Sequence, residues 1–196
     1  MSRIILAVVL YSFQIVSFAA TDVAIFAGGC FWCMEGPFDK LDGVVSSTSG
    51  YSGGHTENPT YKSSSTGTTG HYEAVQIEYD SSKVSYQQLL DVYWKNIDPF
   101  DARGQFCDKG PQYRAAIFTM NDDEKELAVK SKAALQQKLK NKAKVVTEIL
   151  PAKQFYAAED YHQDYYKKNP VRYKYYRYGC GRDKRLEQVE ELVNSK

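Results

Sequence analysis

Short apolar runs and amphipathic stretches alternate along this chain. Val23 to Ala27 (VAIFA) is an apolar run closed by Gly28-Gly29, which reads as a buried strand. The segment Cys30 to Leu41 (CFWCMEGPFDKL) predicts a short helix, interrupted near Gly36-Pro37. Val44 to Tyr51 predicts a second strand, and the Gly/Ser/Thr-rich stretch Ser52 to Gly70 a long loop with a turn at Asn58-Pro59-Thr60-Tyr61. Loops of that length in a compact domain usually carry function. Tyr72 to Asp80 (YEAVQIEYD) alternates with a period of two, so Val75, Ile77 and Tyr79 share one face. By the same parity Glu73 falls on the apolar face, where a carboxyl is out of place.

Ser85 with Gln88 forms a capping pair that opens a helix over YQQLLDVYWKNI, carrying Leu89, Leu90, Tyr93 and Trp94. An irregular stretch, Asp98 to Arg114, precedes a strand from Ala115 to Met120. Asn121 and Glu124 then start a long helix to about Lys140, with Leu127, Ser131, Ala134, Leu135 and Leu139 as its inner stripe. Val145 to Leu150 predicts a strand stopped by Pro151, and Ala157 to Tyr166 a further helical piece. Gly179-Cys180-Gly181 reads as part of a flexible C-terminal tail. No repeat or linker divides the chain. The expected fold is a single α/β (α+β) domain over 21–196, with a mixed β-sheet packed with helices, a ferredoxin-like two-layer core and long irregular loops.

Composition narrows the function. The 25 Lys and Arg nearly balance 24 Asp and Glu, giving a net charge of +1. Such a balance argues against nucleic-acid or polyanion binding. Charged residues at 25% and apolar ones at 43% exclude wholesale disorder. Residues 1–20 hold a single charge, Arg3, then an apolar run from Ile4 to Val16 and small residues up to Ala20. That order describes a secretory signal, cut after Ala19 or Ala20, with export to the bacterial periplasm expected; without the signal, the protein would stay in the cytoplasm. No later stretch is apolar enough to cross a bilayer, so no membrane association is expected after signal removal.

Four cysteines stand at 30, 33, 107 and 180. An even number in an exported protein suggests disulfides. Cys30 and Cys33, however, form a Cys-x-x-Cys, a redox or metal element. A zinc site would need Cys107 and Cys180 as its second pair, and their wide separation favours redox chemistry instead. A strand, two glycines and a Cys opening a helix aim the helix's free N–H groups and its positive dipole end at the sulfur. Cys30 is therefore the expected nucleophile, with a lowered pKa, and Cys33 lies one turn deeper. Phe31 and Trp32 form either a core anchor or an apolar wall beside the reacting atom. Glu73 is either salt-bridged, to Arg114 or Arg103, or neutral with a raised pKa and able to act as a general acid.

The motifs Gly29-Cys30-Phe31-Trp32, Gly50-Tyr51-Ser52-Gly53-Gly54, Asn58-Pro59-Thr60-Tyr61, Thr69-Gly70-His71-Tyr72-Glu73-Ala74-Val75, Gly104-Gln105-Phe106 with Asp108, Gln112-Tyr113-Arg114 and Ala158-Glu159-Asp160-Tyr161-His162-Gln163 occur in this order. Together they resemble the A-type peptide methionine sulfoxide reductases, from about Ala24 to Arg182. The resemblance implies reduction of the S-epimer of methionine sulfoxide, free or in proteins. It implies that Cys30 attacks the sulfoxide sulfur and that Glu73 protonates the departing oxygen. Tyr61 and Tyr113 would hydrogen-bond that oxygen, Asp108 would order the pocket and its water, and Phe31 and Trp32 would receive the ε-methyl group. Cys30 would be left as sulfenic acid. A second thiol must then resolve it: Cys180 ranks first, Cys107 second and Cys33 third, with a thioredoxin-like dithiol as final reductant. No metal or organic cofactor is required, and a monomer suffices. The rival readings are a thioredoxin-like disulfide oxidoreductase and an exported, disulfide-stapled binding module. His71 and His162 are expected to organise the pocket through ring hydrogen bonds rather than to act as bases.

Overall fold

The computed structural model describes residues 21–195; the expected signal at 1–20 lies outside them. In chain order the elements are β1 (Thr21–Gly28), α1 (Trp32–Asp39), β2 (Val44–Ser52), α2 (Tyr61–Ser64), β3 (Tyr72–Asp80), α3 (Tyr86–Trp94), β4 (Gly104–Gln105), β5 (Asp108–Lys109), β6 (Ala115–Thr119), α4 (Asp122–Leu139), β7 (Glu148–Pro151), β8 (Tyr156–Ala157), α5 (Tyr165–Lys168), α6 (Pro170–Gly179) and α7 (Arg182–Asn194). One 3-10 turn, Pro111–Tyr113, leads into β6.

Six strands form one mixed sheet in the order β7-β6-β1-β3-β2-β8. Its middle, β6-β1-β3-β2, is antiparallel throughout, while β7 runs parallel to β6. With α1 between β1 and β2 and α3 between β3 and β6, this is the expected ferredoxin-like arrangement. The helices bury one sheet face: Phe26, Val75, Ile77 and Ile117 meet Phe38 of α1, Leu89, Leu90 and Tyr93 of α3, and Ala128 of α4. Phe26 stacks between Phe38 and Tyr93, with centroids 5.3 and 5.1 Å away. The opposite face carries a smaller cluster of Ile25, Ala27, Tyr72, Ala74, Ala116 and Phe118, covered by Leu150, Ala152 and Phe155.

Local signals act as read at the helix starts. Ser85 and Gln88 close a reciprocal capping box on α3, and Asn121 accepts from the Glu124 N–H at 2.8 Å on α4. The inner stripe of α4 is shallower than expected: Leu139 and the unassigned Ala128 are buried, whereas Ala134 is exposed, because α3 and β6 cover only part of this helix. The loop over 52–70 contains α2, capped by Thr60 and Ser63.

Two predicted elements differ. The helix expected over Ala157 to Tyr166 is a bridge to β2 followed by turns, with helix only in α5. Polar side chains there serve other elements: Glu159 accepts from the Tyr61 N–H at 2.9 Å, and Gln163 bonds Ser49 at both backbone groups. The tail expected to be flexible is helical on both sides of Cys180, in α6 and α7, and Cys180 is joined to Cys107 by a disulfide. Arg182 anchors this segment. Its side chain is fully buried, donates to the Asn96 and Gly28 carbonyls at 2.6 and 3.2 Å, and lies over the Phe106 ring at 4.2 Å. Arg182→Ala removes the donor to one buried and one half-buried carbonyl and leaves a void, so a loss of about 3 kcal/mol is expected in urea unfolding. A midpoint equal to wild type would show the anchor to be dispensable.

Candidate active site

β1 delivers the Cys30 loop to one end of the sheet. Gly29 makes the turn at φ +80°, and a Cβ there would sit 2.5 Å from the Gln105 Cβ, so only glycine fits. Gln105 is buried and knits its own loop together, bonding both the N–H and the carbonyl of Asp98. Cys30 follows just ahead of α1, its carbonyl accepting from the Cys33 N–H at 3.0 Å.

A cavity of about 70 Å³ opens here, lined by Cys30, Phe31, Trp32, Tyr61, Glu73, Asp108, Tyr113 and Tyr176. Every residue assigned from sequence to catalysis or substrate contact is in that lining. The last of them, Tyr176, was missed. It sits in a run of aromatic and basic residues that gives no sequence signal for one position over another.

The Glu73 carboxyl is 2% exposed and accepts the Phe31 N–H at 3.2 Å. Thus a helix-start donor that the sequence pattern assigns to the Cys30 sulfur is engaged by the carboxyl. Neither expected salt bridge forms: Arg114 pairs with Glu148 at 3.1 Å. Burial, outweighing that hydrogen bond and helped by Asp108 and Cys33, pushes Glu73 up to about 8. It is a neutral acid at pH 7.

The expectation of a lowered Cys30 pKa is corrected. Burial pushes the Cys30 thiol up, with its hydrogen bond to Cys33 and the Glu73 and Cys33 charges adding to the effect. Cys33 moves the other way, to about 6, because it accepts that hydrogen bond and faces the guanidinium groups of Arg182 and Arg177. The dipole of an eight-residue helix is too weak to offset removal of a sulfur from water. The two free thiols are thus coupled, burial working against ionisation of Cys30 while the hydrogen bond and the guanidinium groups favour it at Cys33.

Both tyrosines have raised pKa values, chiefly from burial, and remain protonated donors. Tyr61 is held by Glu159, which also accepts from the Tyr51 hydroxyl at 3.1 Å. Trp32 lies flat on Tyr165, with centroids 3.8 Å apart, and donates its indole N–H to His162 Nδ1 at 3.0 Å. Burial lowers the His162 pKa, so this ring is a neutral support. His71 is likewise structural, spanning the Gly54 N–H and the Thr56 carbonyl. Asp108 accepts from the Tyr176 hydroxyl at 2.5 Å, and burial raises its pKa. Of the candidate resolving thiols, Cys107 and Cys180 are bonded to each other, whereas Cys33 is free and buried beside Cys30.

A ferredoxin-like domain with a thiol pair facing a neutral carboxylic acid and two phenols defines a thiol-dependent oxidoreductase. Comparison narrows the class. A family profile described as peptide methionine sulfoxide reductase matches residues 22–193. Two relatives described as peptide methionine sulfoxide reductase MsrA come from Bacillus subtilis and Bacillus licheniformis. The first is 55% identical over 161 residues, covering 82% of this chain and 91% of its own; the second is 53% identical over 167, covering 85% and 92%. Among solved structures, reduced Mxr1 from Saccharomyces cerevisiae superposes with a TM-score of 0.72 at 34% identity, over 77% of this chain and 87% of that one. Methionine sulfoxide reductase A of Corynebacterium diphtheriae gives 0.69 at 34% identity, over 77% and 76%.

The chain belongs to the peptide methionine sulfoxide reductase family. It is a peptide-methionine (S)-S-oxide reductase, using thiols to return methionine sulfoxide to methionine. That excludes both the thioredoxin-like oxidoreductase and the binding module. Among the described residues, no helix is long and apolar enough to cross a membrane.

Proposed function

We propose that Cys30 is the nucleophile of this reductase, Glu73 its acid, and Cys33 the thiol that resolves the first product. The observation that carries this reading is the cavity in which a free buried thiol meets a neutral carboxyl. A sulfoxide sulfur is a poor electrophile until its oxygen is protonated. The Glu73 proton and the Tyr61 and Tyr113 hydroxyls supply that assistance, while Phe31 and Trp32 form the apolar wall for the ε-methyl group. The Cys30 sulfur bonds to the sulfoxide sulfur, the oxygen receives the Glu73 proton, and oxygen transfer to Cys30 releases methionine. The substrate sulfur gains two electrons; Cys30 loses them and becomes sulfenic acid.

The Cys33 thiolate then attacks that sulfenic sulfur and expels hydroxide, which leaves as water after protonation. Proximity supports Cys33, and the Cys107–Cys180 disulfide supports placing those two residues outside the first resolution step. An external dithiol of the thioredoxin type reduces the Cys30–Cys33 disulfide by exchange. With residues 1–20 as a secretory signal, the enzyme works as a monomer in the periplasm on free and protein-bound methionine sulfoxide. A lasting disulfide in this chain fits that oxidising setting.

Disulfide mapping after one equivalent of substrate tests the resolving step. A Cys30–Cys33 bond is expected, and Cys33→Ser should release its first methionine and then stall with Cys30 held as sulfenic acid. A bond from Cys30 to Cys107 or Cys180 would overturn the assignment of Cys33.

A further inference from the structure

We propose that Tyr176 is a catalytic residue that carries the thiol proton of Cys30 to Asp108 when the nucleophile forms. The inference rests on Cys30 as nucleophile and supplies a step that this reading lacks, namely how a buried sulfur loses its proton.

The geometry sets three groups in series. The Tyr176 hydroxyl donates to Asp108 Oδ2 at 2.5 Å, so its oxygen lone pairs remain available to the Cys30 thiol, which lines the same cavity. A Tyr hydroxyl has one proton to give, and here it already points at the carboxylate. When Cys30 passes its proton to the Tyr176 oxygen, Tyr176 passes its own to Asp108. The product state is a protonated Asp108 donating to Tyr176, which now donates to the Cys30 thiolate. Each O–H or S–H bond broken is matched by one formed, and the single negative charge moves from Asp108 to the Cys30 sulfur. After methionine leaves, the proton on Asp108 balances the one Glu73 has given to the oxygen.

The surroundings hold this series in place. Tyr176 packs edge-on against Trp32, with centroids 5.8 Å apart at 80°. Its carbonyl accepts the Cys180 N–H at 2.9 Å, so the Cys107–Cys180 disulfide pins the end of α6 that carries it. Asp108 lies against the same disulfide, with its carboxylate oxygens 3.7 Å from Cys107 Sγ and 3.9 Å from Cys180 Sγ. Burial makes Asp108 a better proton acceptor than an exposed carboxylate.

Other groups also act on this proton. Cys33 of α1 acts through its hydrogen bond with Cys30, Glu73 of β3 faces the sulfur as a neutral acid, and Tyr61 and Tyr113 approach from α2 and the 3-10 turn. Arg177 and Arg182 act from α6 and α7 through Cys33. None of these presents both a free acceptor lone pair to Cys30 and an outlet to a carboxylate.

The test is the pH dependence of Cys30 alkylation by iodoacetamide, with fragment ions separating the label on Cys30 from that on Cys33. Tyr176→Phe keeps the ring on Trp32 and removes only the hydroxyl. Alkylation of Cys30 at pH 7 is expected to slow about tenfold, a rise of ~1 unit in its midpoint. Asp108→Asn should give a similar shift, and the double variant no more than either alone. An unmoved profile in Tyr176→Phe, or shifts that add in the double variant, would overturn the relay. If Tyr176→Phe fails to fold by circular dichroism, Asp108→Asn decides alone, since an unmoved profile there also removes the outlet. Continued turnover by Cys30→Ser would instead sink the underlying reading of the nucleophile, so the two failures are distinct.

Discussion

Cys30→Ser is expected to form no methionine at all from methionine sulfoxide. The reaction is a two-electron reduction, and those electrons come from the Cys30 sulfur as it passes from thiol to sulfenic acid. A serine oxygen is a weaker nucleophile, far from ionisation at neutral pH, and it has no accessible higher oxidation state to give. Cys33 cannot take over: it is 1% exposed, lies one turn deeper in α1 and does not line the cavity. The Ser variant should fold normally, because serine is nearly isosteric, can keep the side-chain hydrogen bond to Cys33, and leaves the backbone carbonyl contact intact. Chromatography of the methionine formed, with dithiothreitol as reductant, reads the outcome. Sustained product above the enzyme-free control would reject Cys30 as nucleophile.

Much of this site is legible in the sequence because its signals are local. The strand, glycine pair and cysteine specify where Cys30 stands, and Gly29 is required by a positive φ and a close neighbour. The period of β3 places Glu73 on the core face, and the structure buries it there beside Val75 and Ile77. What sequence reasoning missed depends on groups brought together from far apart. The Cys30 pKa depends on how deeply α6 and α7 cover the loop, and the helix-start pattern carries no record of that cover. Tyr176 reaches the cavity from far downstream because Arg182 and the disulfide fix the helices on either side of Cys180. Pro170 at the start of α6 is a helix signal in that segment, and the surrounding Gly179 and Gly181 obscured it. The Cys107–Cys180 pairing is of the same long-range kind. Spacing alone reads the glycine-flanked Cys180 as mobile, and it carries no record of the bond to Cys107, 73 residues away.

Glu73→Gln should slow the reductive step by about 10²–10⁴-fold, the usual scale for removing a general acid. Glutamine keeps the volume and can still accept the Phe31 N–H, so the loss isolates the proton. The pH profile discriminates further. With Glu73 at about 8, single-turnover rates in wild type should fall as pH rises through that value, because the ionised carboxyl has no proton to give. The glutamine variant should lack this falling limb. On stability the substitution should act in the opposite direction from its effect on rate. The folded protein retains on Glu73 a proton that the unfolded chain releases near its ordinary value of 4.5, so wild-type stability declines between there and about 8. An amide at this position has no such linkage, and urea midpoints for the two proteins should nearly coincide at pH 4.5. They should separate at pH 9, with the variant more stable by on the order of a few kcal/mol, since each unit is ~1.4 kcal/mol. A single-turnover rate within a few-fold of wild type would remove the acid role. Parallel stability profiles would show that the carboxyl ionises without penalty. A slow but more stable variant is what a buried acid kept for chemistry demands: the desolvation that costs the fold stability is the same effect that holds the catalytic proton.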